Sequence, residues 1–110
     1  MAQYLVLLEG LAAQLDATDA EPMAHNQRWM DWLSTLGAAG QLAGGGPLGA
    51  EARGVGPDGV SDRELQTVDV FGYLVLEATS LDEAAALASQ APNVALGGTA
   101  VVRPVLAVGG

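Results

Sequence analysis

The sequence predicts an α+β sandwich in the order β-α-β-β-α-β, one sheet with two helices on one face, and three observations predict it. Compact apolar segments of strand length stand at residues 4–9, 68–78 and 99–108. Two segments with helical signals separate them, one running to about Leu36 and one opening at Ser80. Clusters of Gly, Pro and Asp punctuate the joints. With 110 residues, 50% of them hydrophobic, the chain suits a single core, and no linker divides it into two domains.

Taken in order, Tyr4-Leu5-Val6-Leu7-Leu8-Glu9, closed by Gly10, reads as a buried first strand. Residues 11–17 have helical propensity but are short for an independent helix, so loop and helical turn both stay open. Thr18 or Asp19 then caps a helix whose first turn holds Asp19, Glu21 and Pro22, the last at a position where a missing amide hydrogen costs little. Trp29, Trp32, Leu33 and Leu36 recur on it at helical spacing, while Asn26, Gln27, Asp31 and Ser34 fall largely outside that stripe. Gly37 and Gly40 end the helix, residues 41–43 begin a short extended stretch, and Gly44-Gly45-Gly46-Pro47 reads as punctuation. Pro57-Asp58-Gly59, flanked by residues 52–56 and Val60, predicts a tight turn in an antiparallel hairpin. Residues 68–78, with Phe71, Tyr73, Leu74, Val75 and Leu76, predict a central strand. Ser80-Leu81-Asp82-Glu83 is a capping box opening an Ala-rich helix that Pro92 stops. Residues 99–108 predict the last strand, and Pro104 places part of it at an edge or bulge. The result is a ferredoxin-like sandwich. Its second sheet face is left uncovered by the helices, and half-apolar strands predict a homodimer that stacks two sheets across it.

The 13 acidic residues against four Arg give a formal charge of −9, and Arg28, Arg53, Arg63 and Arg103 form no cluster. Neither nucleic acid nor an anionic membrane surface is therefore an expected partner. No apolar run approaches the roughly 20 residues that span a bilayer. The opening residues lack a basic segment and a cleavage site, so no signal peptide is read and the cytoplasm is the expected compartment. The chain has no Cys and no Lys, which excludes thiolate nucleophiles, disulfides, Cys-ligated zinc and lysine Schiff bases. A site built on imidazoles would need several chains, because His25 is the only histidine. No metal and no cofactor is expected.

Gly44-x-Gly46-x-x-Gly49 and Gly54-x-Gly56-x-x-Gly59 match a dinucleotide-binding spacing, but a strand or turn follows each and Pro47 and Pro57 interrupt them. They read as turn formers. His25 carries the one side-chain type that titrates near neutrality. Helical spacing sets His25, Arg28, Trp29 and Trp32 along one face, so that an imidazole could border an aromatic-walled cleft as general acid or base. The same residues also suit an amphipathic helix with core tryptophans and a half-exposed His. Asp58, Asp62, Glu64 and Asp69 gather about the hairpin, where solvation accounts for them; Asp62 or Asp69 is also a candidate to orient His25 across the fold. Asp82 and Glu83 are explained by capping and the helix dipole. A serine hydrolase is not expected, since no Gly-x-Ser-x-Gly elbow is present. Tyr4 and Tyr73 offer phenolic hydrogen bonds in a strand-lined pocket, or core packing with a satisfied hydroxyl.

Several segments in fixed order carry a family resemblance: Tyr4-Leu5-Val6-Leu7-Leu8, the helix ending Trp32-Leu33-Ser34-Thr35-Leu36-Gly37, the loop Gly44-Gly45-Gly46-Pro47-Leu48, Phe71-Gly72-Tyr73-Leu74-Val75-Leu76, Ser80-Leu81-Asp82-Glu83-Ala84 and Val101-Val102-Arg103-Pro104-Val105. Together they cover nearly the whole chain, and the set resembles the YCII-related family, including its branch named for an Asp-Gly-Pro-Phe motif. The resemblance implies a ferredoxin-like subunit that pairs into a dimeric α/β barrel, with a cleft between the first helix and the sheet. It also implies proton transfer on a small cyclic or aromatic molecule, by a His-Asp pair proposed for some members. Relatives include dehydrochlorinases and, more distantly, muconolactone isomerase-like and monooxygenase barrels. The chain departs from the pattern in two places. The family's helix His falls near Trp29, one turn after His25, and Asp62-Arg63-Glu64-Leu65 stands where Asp-Gly-Pro-Phe is expected, keeping only the Asp.

These readings predict a cofactor-independent lyase or isomerase acting on a small hydrophobic or aromatic metabolite in a homodimer. His25 is the acid-base group, Asp62 or Asp69 its orienter, and Arg28 the anchor for a substrate anion or enolate, with Trp29, Trp32 and Tyr73 lining the pocket. The rival from another class is a non-catalytic dimeric module that holds a ligand or binds a regulatory protein. A cofactor-free monooxygenase of the same barrel type is the third reading.

Overall fold

Alternation along the first strand, β1 (Ala2–Glu9), buries Tyr4, Val6 and Leu8 and leaves Leu5 and Leu7 half-buried on the opposite face. The computed structural model describes residues 2–10, 21–49, 51–65 and 69–106, and of residues 21–26 the backbone alone. The elements that follow are α1 (Glu21–Ala38), β2 (Leu42–Pro47), β3 (Ala52–Gly56), β4 (Gly59–Arg63), β5 (Val70–Ala78), α2 (Leu81–Ala88), α3 (Pro92–Ala95) and β6 (Thr99–Pro104). The predicted caps Thr18 and Asp19, and the ambiguous residues 11–17, lie outside the described residues.

Four strands form one antiparallel sheet in the order β2-β5-β1-β6. This is the ferredoxin-like arrangement, with β5 and β1 central as the apolar content of both predicts. Pro47 and Pro104 sit on the two edge strands, where a missing amide hydrogen removes no ladder bond. On one sheet face Val6, Leu8, Leu74 and Leu76 meet Leu36 of α1, Ala88 of α2 and Ala91, in one core cluster. Leu76 and Val6 are fully buried, each contributing about 1.5–3 kcal/mol. A smaller cluster joins Tyr4 and Ala78 to Ala84, whose small side chain lets α2 lie close to the sheet.

Four parts of the fold differ from the sequence prediction. The hairpin exists at the expected turn, but β3 and β4 form a separate two-stranded ribbon. Its side chains are mostly exposed, so nothing apolar anchors it within the main sheet. The second helix ends at Ala88, before Pro92, and Pro92 begins the short helix α3, a position its fixed backbone angle favours. The glycine run is no punctuation: β2 continues from Leu42 to Pro47, and after a register shift that leaves Ala43 without a partner, Gly44, Gly45, Gly46 and Pro47 each pair with β5. Where predicted and observed ends of the last strand differ, β6 stops at Pro104, one further bond runs from Val105 N to Gln3 O (3.0 Å), and residues 107–108 lie outside the described residues.

Candidate functional site

Sheet and helix part company at one end of the β2–β5 pair. Along β5 the residues facing the helices are Ala78, Leu76, Leu74 and Gly72, all buried; the series of side chains thus breaks at Gly72. Leu8 of β1 and Pro47 of β2 are its cross-strand partners. On β2 the same side passes from Leu42 to Gly45, which pairs with Leu74. Gly45 has φ +142° and touches β5 closely. A Cβ there would collide with the Tyr73 carbonyl oxygen and stand 2.8 Å from Leu74 Cδ2 and 2.9 Å from Leu74 Cα. No other residue type fits it without strain.

Opposite these glycines α1 presents Trp29 and Leu33. Trp29 meets Trp32 edge-to-face, with ring centroids 5.6 Å apart at 69°, and Phe71 at 6.2 Å and 86°. Both are favourable aromatic geometries. Phe71 reaches Trp29 because of an irregularity in the sheet: Gly72 pairs with Leu8 and Val70 with Glu9, so the residue between is left without a partner on β1. Simple alternation would put Phe71 on the face of Tyr73 and Val75. A bulge re-aims it toward the helix.

The resulting cleft has a volume of about 420 Å³ and is lined by Leu8, Trp29, Leu33, Leu42, residues 44–47 and residues 71–74. Small-molecule sites commonly measure about 300–1,000 Å³. Among the described residues its lining holds no charged side chain, and Tyr73 borders it from β5 with its side chain alternating to the other sheet face. Such a wall favours uncharged, planar, apolar ligands, since a charge buried there would lack a partner.

The predicted site residues divide accordingly. Trp29 and Tyr73 line the cavity, and Trp32 packs behind Trp29, half-buried. Arg28 is exposed on α1 and is not part of the lining. Asp62 stands on the ribbon with its side chain 94% exposed, 3.3 Å from Arg53 Nε. Asp69 is half-buried two residues before Phe71, and its carbonyl accepts a bond from Gly10 N (3.2 Å). His25 lies on α1, four residues before Trp29, but its side chain is outside the described residues. Leu33, Phe71 and the glycines were not among the predicted site residues. Phe71-Gly72-Tyr73, an aromatic pair about a strand glycine, was the available signal. Among the described residues no group of three or more His, Asp or Glu is placed to hold a metal ion.

The family model of the YCII-related domain matches residues 2–107. The chain belongs to this family. Among solved structures, this YCII-related domain is similar to 5-chloro-2-hydroxyhydroquinone dehydrochlorinase from Burkholderia phenoliruptrix, determined in complex with 2,5-dihydroxybenzoquinone. The TM-score is 0.59 at 18% identity, covering 94% of this chain and 93% of that one. At that identity the likeness establishes the shared fold. No curated protein matches the YCII-related chain significantly in sequence. Among the described residues no helix is long and apolar enough to cross a membrane.

Proposed function

We propose that this YCII-related domain is a cofactor-independent enzyme of lyase type, moving a proton on a small aromatic molecule held between α1 and the sheet of a homodimer. The observation that carries the reading is a cavity with no charged side chain among its described lining, walled by Phe71 of β5 and by Trp29 of the helix that bears His25. The dehydrochlorinase that shares the fold acts on an aromatic compound, as its name states, which favours elimination over isomerisation. In this reading His25 is the acid-base group and Asp69, beside Phe71, is favoured over the exposed Asp62 as its orienter.

The test is chloride release from 5-chloro-2-hydroxyhydroquinone. The wild type is expected to turn it over, and His25→Ala to lose about a hundredfold or more in rate while keeping its oligomeric mass. A wild-type rate equal to the uncatalysed one, or an undiminished His25→Ala variant, removes the assignment. One observation favours a second reading: the described lining turns no acidic or basic side chain into the cavity. A ligand-holding module fits that lining, and saturable binding of the same compound without turnover identifies it.

A further inference from the structure

We propose that Gly72 determines which ligands the cavity admits: its missing side chain is the cavity's floor, on which a planar ring lies flat against the backbone of β5. The inference rests on the ligand-site reading above. It does not depend on the reaction being an elimination.

Gly72 is the fourth place in a series whose other members, Leu74, Leu76 and Ala78, are buried beneath the helices. It is itself buried, in the middle of a central strand, where glycine is disfavoured because it packs nothing and orders a flexible backbone. Its own backbone geometry does not demand glycine, as Gly72 is not among the residues with positive φ. Its surroundings do not forbid a methyl group either. A Cβ there would lie 3.6 Å from Leu8 Cδ1, 3.8 Å from Pro47 Cα and 3.3 Å from Gly46 O, the last on an edge strand that can yield by a few tenths of an ångström. A methyl group at residue 72 thus meets one tight contact, at Gly46 O, and otherwise ordinary van der Waals neighbours. The feature that a side chain would remove is the cavity, which Gly72 lines together with Trp29 and Phe71. Glycine within a strand marks a bulge or the close approach of a ligand or another backbone; the bulge here falls at Phe71, while Gly72 itself stays paired with Leu8 and Pro47.

The volume agrees with this. An apolar cavity of about 150 Å³ holds a benzene ring. The cavity of about 420 Å³ thus has room for a two-ring ligand, and a side chain at residue 72 shortens it from below.

The experiment compares two neutral probes, 2-naphthol with two rings and 4-fluorophenol with one, on wild type, Gly72→Ala and Gly72→Val. Binding of 2-naphthol is read from quenching of tryptophan fluorescence, and of 4-fluorophenol from fluorine line broadening. The wild type is expected to bind both. Gly72→Ala should keep or raise the thermal midpoint while weakening 2-naphthol roughly tenfold or more, with a smaller effect on 4-fluorophenol; Gly72→Val should abolish binding of the larger probe. Equal loss of both probes in Gly72→Ala indicates general distortion and overturns the proposal. So does unchanged binding of 2-naphthol, or a Gly72→Ala chain that fails to fold, since either shows no usable space above this residue. A wild type that binds neither probe overturns the ligand-site reading itself.

Discussion

Asn93 is 1% exposed at the start of α3, and its Nδ2 donates to Glu9 O at 3.3 Å and to Thr99 O at 3.0 Å. Two sheet strands are thereby tied to the helix layer at the end where β1 and β6 begin their pairing. Beside it, Thr99 Oγ1 donates to the Glu9 carboxylate at 3.1 Å, and a Cβ on Gly98 would stand 2.9 Å from Asn93 O, so the turn closes tightly over the amide. Asn93→Ala removes the donor from two carbonyls at a buried place, and should cost about 2 kcal/mol, measured as a lowered urea midpoint with unchanged slope. A shift below a tenth of that size would mean that water takes the place of the amide. None of this was legible in the sequence. An Asn following a Pro reads as loop, and the partners of Asn93 are backbone carbonyls, which leave no mark on residue type. The tryptophans were legible for the opposite reason: their spacing on α1 places them against the core by helical geometry alone.

At the scale of elements, what a residue pattern can foretell depends on side chains being present to form it. The box at α2 was read from four residues and is built: Ser80 Oγ accepts from Glu83 N at 3.1 Å, and the Glu83 carboxylate accepts from Thr79 N at 3.2 Å and Thr79 Oγ1 at 2.8 Å. The glutamate thus reaches one residue beyond the cap. Ser80→Ala should destabilise the chain by about 1 kcal/mol in urea unfolding, and no loss would show that Glu83 alone secures the helix end. The strand β2 escaped the same style of reading. Period-two alternation vanishes when three successive positions are glycine, so a paired edge strand looked like a turn. The site escaped with it, because its floor is backbone and its Phe71 depends on a bulge that alternation does not announce. Hydrophobic pattern specifies the sheet that surrounds a cavity more readily than the gap itself.

The whole molecule is a slab. Its extents are 45 × 38 × 19 Å and its radius of gyration is 15.4 Å, against about 13 Å for a compact chain of this length. One layer of helices on one sheet, with a ribbon outside it, accounts for that shape. The other sheet face carries an apolar row, since Leu7 lies between Tyr73 and Val101 by register, and Leu5 lies beside Val75. Tyr73 and Val101 are 37% and 39% exposed on a central and an edge strand, more than a finished core allows. A second copy stacked on this face would bury the row and supply the missing layer. We therefore expect native mass spectrometry to give twice 11.1 kDa. Leu7→Arg, at the middle of the row, should return the mass to one chain without unfolding it, because the helix-facing core is untouched. Electrostatics sets a further condition: each copy brings a formal charge of −9, so dimerisation should tighten as salt rises and screening shortens to about 10 Å near 0.1 M. A wild type that stays monomeric at tens of micromolar in 0.15 M salt would exclude the stacked pair, as would a Leu7→Arg dimer of unchanged affinity.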